Sequence, residues 1–182
     1  TGSPLKPVGT FKVGTLDLAE TDYEFTESTL DTDASTTNKA DLTLKSTGNF
    51  KFASGVTKQE ITYEIAKRIF NDGTVTASFE KDANNVEITQ YEYNNEVIKP
   101  AVTVTFKPSA DAITLTTSDY DIVYANSSDA TTDAALKAVG TGNKVTITGK
   151  GNNFTAASLA VKNYDVTVRT LTITTDRKST RL

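Results

Sequence analysis

Residues Lys144 to Thr155 read KVTITGKGNNFT. Val145 and Ile147 alternate with polar residues, and the pattern then breaks at Gly149, Gly151 and the pair Asn152-Asn153. Period-two alternation followed by Gly and Asn predicts a half-buried strand entering a tight turn. A looser copy lies earlier: Leu42 and Leu44, then Thr47-Gly48-Asn49-Phe50. The chain therefore reads as two editions of one β-unit.

Further anchors recur in the same order. Pro4-Leu5-Lys6-Pro7 answers Val97-Ile98-Lys99-Pro100, and Thr21-Asp22-Tyr23-Glu24 answers Ser118-Asp119-Tyr120-Asp121. Gly48-Asn49-Phe50 answers Gly151-Asn152-Asn153-Phe154, with one insertion. Thr62-Tyr63-Glu64 and Arg68 answer Asn163-Tyr164-Asp165 and Arg169. The spacing drifts from about 93 to about 103 residues, as small loop insertions produce in a duplicated domain. Each anchor has a physical sense. A Tyr beside an acid sets its ring inward and its hydroxyl at the rim. Lys-Pro starts a strand and guards its edge. Gly-Asn turns tolerate positive φ.

Between the anchors, Leu5 to Leu18 reads as an edge strand and DYEFTE (Asp22 to Glu27) as a further strand. Thr29 to Asn38 is expected to be a loop. Leu42-Leu44 and Phe50-Phe52 are expected to form a hairpin about Ser46 to Asn49. Residues Thr57 to Phe70, TKQEITYEIAKRIF, admit two readings. A capping box at Thr57 and Glu60, with Ile61, Ile65 and Ile69 every fourth residue, suits a helix. Ile61, Tyr63 and Ile65 also alternate with period two. The matching segment Asn163 to Thr172 is rich in β-branched residues, which decides for a strand. Thr74 to Phe79 and Val86 to Tyr93 are expected to pair as a hairpin about Lys81 to Asn85. Val102, Val104 and Phe106 are expected to face one side, and DAALKAV (Asp133 to Val139) to give at most one helical turn. The last strands are placed at 144–149 and 163–174, before a polar tail, DRKSTRL, that frays.

The expected architecture is all-β, with domains at 1–70 and 71–182. The first copy lacks the lead-in TVTASFEKDANNVEITQYEYNN that precedes the second. It is expected to miss its opening strands and so to expose an edge and apolar surface.

Composition narrows the function. The 182 residues carry 19 basic and 23 acidic side chains, net −4, so the basic excess of a nucleic-acid binder is missing. No apolar run is long enough to span a bilayer. There is no Cys, His, Met or Trp. That removes disulfides, thiolate nucleophiles, Cys-ligated metal and the usual near-neutral acid–base group. Abundant Thr, Ser and Asn without Cys fits an exported bacterial surface protein that needs no oxidative folding. The opening TGSPLKP has neither a cationic start nor an apolar stretch, so it does not read as a signal peptide. It also lacks an initiating Met, and the chain is expected to be a segment of something longer.

YEYNNEVIKPAVTVTF, SDYDIVYANSS and VTITGKGNNFTAAS, with looser counterparts TGSPLKPVGTF, TDYEFTE and LTLKSTGNFKFAS, cover most of the chain. Together they resemble the bacterial Ig-like tandem repeats of large surface proteins of Gram-positive and gut bacteria. The resemblance implies tandem antiparallel Ig-like β-sandwich domains acting as spacer, display or adhesion modules at the cell surface or wall. Their partners would be neighbouring repeats and host or cell-wall glycan or protein. The motif residues Lys6, Pro7, Tyr23, Gly48, Tyr63, Lys99, Pro100, Tyr120, Gly149, Gly151 and Tyr164 would be structural. In the first copy, Ser46-Thr47 stands where a Gly-Lys is expected.

Chemistry is sparse. The pairs Asp22 with Glu24 and Asp119 with Asp121 could in principle do acid–base work, but they read as solvated strand faces. Asp31, Asp33, Asp129 and Asp133 lack calcium-loop spacing. Lys6, Lys99 and Asn163 are the residues an isopeptide crosslink would use, though a Lys beside Pro reads as an edge guard. GKGN at Gly149 to Asn152 has no phosphate-loop spacing. Asn126-Ser127-Ser128 and Asn153-Phe154-Thr155 are formal glycosylation sequons. Arg177, Lys178 and Arg181 read as a solvated tail. No catalytic residue, metal site or cofactor is expected, and the chain is expected not to be an enzyme. The alternative is a carbohydrate-binding module of a secreted enzyme, for which Tyr91, Tyr93 and Tyr124 are the clustered aromatic candidates.

Overall fold

The computed structural model describes residues 3–108 and 110–172. The expected end of the last strand, at 173–174, and the tail with Arg177, Lys178 and Arg181 lie outside the described residues. The fold is all-β, with twelve strands and two short helical turns among those residues.

The first part of the chain forms a three-stranded antiparallel sheet. Its strands are β3 (Tyr23–Phe25), β4 (Ser35–Leu44) and β5 (Gln59–Ile65), with β4 central. A small hairpin, β1 (Lys12–Val13) and β2 (Leu16–Asp17), precedes it. Residues Leu5 to Leu18 thus hold two short strands in place of the one edge strand expected. β4 alternates as its sequence dictates: Asn38, Ala40 and Leu42 are buried, and their neighbours face out. Phe25, Ala40 and Leu42 form the core, and Phe11, Tyr23, Leu30, Leu44, Phe52, Ile61 and Tyr63 pack around it. Phe11, Tyr23 and Phe25 meet edge-to-face with centroids 5.2–5.7 Å apart.

The rest of the chain forms two sheets facing one core, a β-sandwich-like arrangement. One sheet holds β6 (Val75–Phe79), β8 (Val102–Phe106) and β9 (Ile113–Thr114), in that order. The other holds β10 (Tyr120–Ala125), β11 (Gly140–Gly149), β12 (Lys162–Thr167) and β7 (Gln90–Glu92), in that order. All pairings are antiparallel except β12 with β7. Val75, Phe79, Val104 and Phe106 from one sheet meet Tyr120, Val145, Ile147, Tyr164 and Val166 from the other. A five-residue helix, α1 (Asp133–Lys137), buries Leu136, and the Thr132 hydroxyl caps it by accepting from the Ala135 N–H at 3.3 Å.

Residues 57–70 contain strand β5 and no helix. Period two prevails there because Ile61 and Tyr63 pack on the first core beside β4. Three other expectations change. The Thr29–Asn38 loop ends sooner, since β4 begins at Ser35. The Leu42–Phe52 hairpin does not form: β4 already has β3 on one side and β5 on the other, so no edge is left for Phe50 and Phe52. The hairpin of 74–79 with 86–93 reduces to one isolated bridge, Lys81 with Glu87, because β6 pairs with β8 and β7 with β12.

The two antiparallel sheets share a register. Tyr23 pairs with Leu44 as Tyr120 pairs with Gly149. Asn38 pairs with Tyr63 as Asn143 pairs with Tyr164, and each ten-residue central strand has an irregularity just before that Asn. Lys45 N–H donates to Asp22 O at 2.9 Å, and Lys150 N–H to Asp119 O at 2.8 Å. Leu5 N–H donates to Asp31 O at 3.0 Å, and Ile98 N–H to Leu136 O at 3.4 Å.

Candidate functional site

The stretch Lys144 to Thr155 is where the two parts meet. β11 ends at Gly149 because its neighbours leave no room for a side chain. A Cβ there would lie 2.5 Å from Phe70 Cγ and 2.5 Å from Thr155 O. Gly151 then turns at φ +79°, and a Cβ there would lie 2.8 Å from Ser118 O. The turn presents Asn153 to the first part of the chain. Its Oδ1 accepts from Ala34 N–H at 2.8 Å, and its Nδ2 donates to Asp33 Oδ1 at 2.8 Å. Its backbone O accepts from Arg68 N–H at 2.8 Å, while Thr155 N–H donates to Arg68 O at 2.9 Å. Lys67 Nζ donates to Gly151 O at 2.8 Å. The Asn inserted in the second Gly-Asn-Phe motif thus lies in the joint.

The chain crosses the joint in an extended step. Arg68 bridges Phe154 in parallel, and two residues later Phe70 is fully buried in the second core. Phe154 meets Phe70 and Phe106 edge-to-face, both at 5.4 Å. Arg68 Nε also holds Asp72 Oδ2 at 2.7 Å. The Asp72 carboxyl lies below the usual carboxylate range, chiefly through bonds from the Thr74 hydroxyl and N–H.

The motif residues divide by role. Lys6 and Lys99 are exposed, while Pro7 and Pro100 beside them are buried. Gly48 lies against Asp22, where a Cβ would be 3.1 Å from its Cα, and it does not use a positive φ. Gly48 and Gly151 therefore serve different ends, close approach in one copy and a left-handed turn in the other. Tyr23 packs half-buried in the first core, and Tyr120 is buried in the second. Tyr164 is buried and donates to Ile98 O at 2.9 Å, which pushes no charge into the core; burial holds its hydroxyl above the ordinary range. Tyr63 Oη instead accepts from Asp31 N–H at 2.8 Å.

Tyr91, Tyr93 and Tyr124 all pack partly buried against the second core. They come from opposite edges of one sheet, Tyr91 and Tyr93 at β7 and Tyr124 on β10. Their hydroxyls donate within the chain: Tyr91 to Glu80 Oε1 at 3.2 Å and Ile88 O at 3.1 Å, Tyr93 to Asn95 Oδ1 at 3.1 Å, and Tyr124 to Pro100 O at 2.7 Å. Burial raises the Tyr91 hydroxyl, with the Glu80 charge adding to it, and pushes Tyr124 up to about 12. The three rings thus pack on the core from separate strands, with their hydroxyls held within the chain.

Four of the candidate acidic residues bond within the fold. Asp22 is buried and accepts from Ala19 N–H at 3.0 Å; Asp119 accepts from Thr116 N–H at 3.0 Å. Asp121 pairs with Lys150 at 2.6 Å, and Asp129 with Lys144 at 2.8 Å. Among the described residues no three Asp or Glu gather as a metal site. No helix among them is long and apolar enough to cross a membrane. Lys6, Lys99 and Asn163 are all exposed, without the burial an isopeptide bond needs. Asn126 and Asn153 commit their side-chain oxygens to backbone N–H groups: Asn126 Oδ1 accepts from Ser128 and Ala130 N–H at 2.9 Å each, and Asn153 Oδ1 from Ala34 N–H.

Two grooves lie on the first part. One, of about 600 Å³, runs between Leu5–Phe11 and Ile61–Ala66. Another, of about 410 Å³, lies between Lys6–Gly9 and Tyr23–Phe25. The joint was invisible in the sequence because Asn153 looked like one more turn residue. Compared with family models, curated proteins and solved structures, the chain matches none.

Proposed function

We propose that the chain is a non-catalytic segment of a bacterial cell-surface protein, a spacer or display module of adhesive type. In this reading it is built from two editions of one Ig-like unit joined end to end. The observation that carries it is the joint: Asn153 clamps Asp33, Ala34 and Arg68, and Phe70 is driven into the next core. Such a joint turns a chain of units into a rod, because a flexible linker would let each unit swing independently. The shared registers support duplication. Arg169-Thr170-Leu171 repeats the spacing of Arg68-Ile69-Phe70, and Leu171 is 80% exposed where Phe70 is buried, which suits docking into a further unit.

The test uses the absence of cysteine. Nitroxide labels at Lys12→Cys and Val123→Cys, both exposed, report the distance between the units by pulsed electron resonance. A narrow distribution is expected, broadening in Asn153→Gly. A distribution already as broad as that of a free linker in the unsubstituted joint overturns the reading.

A further inference from the structure

We propose that the outer edge of β5 is a strand acceptor, taking an extended segment of another polypeptide with the polar–aromatic–polar pattern of Thr89–Tyr93. The inference rests on reading the two antiparallel sheets as one unit written twice. In the second sheet, the edge of β12 is covered by β7, with Asp165, Val166 and Thr167 opposite Gln90, Tyr91 and Glu92. Asp165 N–H donates to Thr89 O at 2.8 Å, and Tyr93 N–H to Thr167 O at 2.9 Å. Tyr91 lays its ring edge-to-face on Tyr164 at 6.0 Å. β5 stands where β12 stands, because Asn38 faces Tyr63 as Asn143 faces Tyr164. Glu64, Ile65 and Ala66 therefore hold the places of Asp165, Val166 and Thr167.

Among the described residues no strand pairs with that edge. The groove of about 600 Å³ lies along it, where a counterpart of β7 would run. One wall is Ile61 to Ala66; the other includes Pro7, Phe11 and the fully exposed Val8. Ile65 is half-buried, whereas its counterpart Val166 is 1% exposed. The groove thus combines an unpaired edge with incompletely covered apolar side chains, the two features that strand addition uses. By register, Glu64 N–H and Ala66 C=O face the incoming strand, and its aromatic ring would fall over Tyr63 as Tyr91 falls over Tyr164.

The experiment titrates the full chain with a synthetic peptide, VEITQYEYN, and follows backbone amide shifts. Saturable shifts at Thr62 to Ala66 and at Leu5 to Phe11 are expected. A peptide with Ala in place of the first Tyr should bind at least about tenfold more weakly, the loss of roughly one aromatic contact. Glu64→Pro should also abolish binding, with cross-strand contacts of Asn38 to Tyr63 intact as the check on folding. Absence of saturable binding overturns the proposal. So do shifts confined to Asp165–Thr167, meaning exchange with β7, and a preformed β5-to-β5 dimer that the peptide does not displace. The duplication reading fails separately, if cross-strand contacts are missing from either Asn38–Tyr63 or Asn143–Tyr164.

Discussion

The first and second halves of the molecule hold the same three-stranded register but differ in what lies over it. The second sheet faces another sheet, and the core between them has thirteen buried hydrophobic residues against three in the first. Among the described residues the first sheet is covered by the loops and short hairpin of residues 5–18, by Leu30 and by Phe52. The two three-stranded ladders thus agree in register, while the apolar cores beneath them do not agree in size. Because stability follows buried apolar area more than ladder bonds, the first half should open at lower free energy. Hydrogen exchange should show β3–β5 amides exchanging well before those of β10–β12, and the reverse order would break the comparison.

The largest effect expected from a single substitution is at Phe70, the side chain that the first half contributes to the second core. Phe70→Ala should destabilise the second half by about 3–5 kcal/mol, measured by denaturant unfolding with amides of β10–β12 as the probe. Next come Gly149 and Leu44, which hold the same place opposite a Tyr. Gly149→Ala forces a methyl into Phe70 and Thr155 and should cost about 2–3 kcal/mol. Leu44→Ala removes a half-buried side chain and should cost about 1–2 kcal/mol. Equal costs would mean that the difference in packing around the two places has no energetic consequence.

A third test is pH. Asp72, Asp82 and Glu87 are all held below the usual carboxylate range, and all lie on the segment that enters the second half. For Glu87 the largest cause is its bond with Lys162, at 2.8 Å. A lowered folded value stabilises the native state above the unfolded carboxylate value, and that contribution is lost as pH falls through the folded value. Melting temperature should drop on acidification through and below the ordinary carboxylate range, less steeply in Glu87→Gln. An unchanged slope would remove Glu87 from the account. At the opposite end, Tyr124, raised to about 12, contributes stability that is present below pH 10 and lost as pH rises toward about 12.

The smallest effect is at the surface. Lys39 and Glu60 pair at 2.7 Å across β4 and β5, but both side chains are more than half exposed. Lys39→Ala should change stability by less than about 0.5 kcal/mol, and a larger loss would show that the first half depends on charge where burial is thin.

Much of the strand content was legible before folding. Val145 and Ile147, Val104 and Phe106, and Tyr23 and Tyr120 all turn inward as their alternation requires. The choice of strand over helix at Ile61 to Ile65 came from the second copy, since local spacing supported both. The repeat itself is legible, yet Asn38-Lys39 and Asn143-Lys144 carry no turn or strand signal of their own and answer each other only through the shared register. The candidate site was hardly legible at all. Asn153 becomes a clamp only when Asp33 and Arg68 are brought to it across 120 and 85 positions of chain.

The amino-acid order by itself determined which side of each strand faces inward, because successive side chains on extended backbone point to opposite faces whatever lies beside them. Tertiary structure alone decided which strand stands beside which. It gave β4 to β5 in place of Phe50–Phe52, set β7 parallel to β12, and, among the described residues, left the edge of β5 without a strand. Alternation fixes a face but is blind to its neighbour. A strand's partner is chosen by whichever distant segment can complete the backbone ladder and cover the most apolar surface at once.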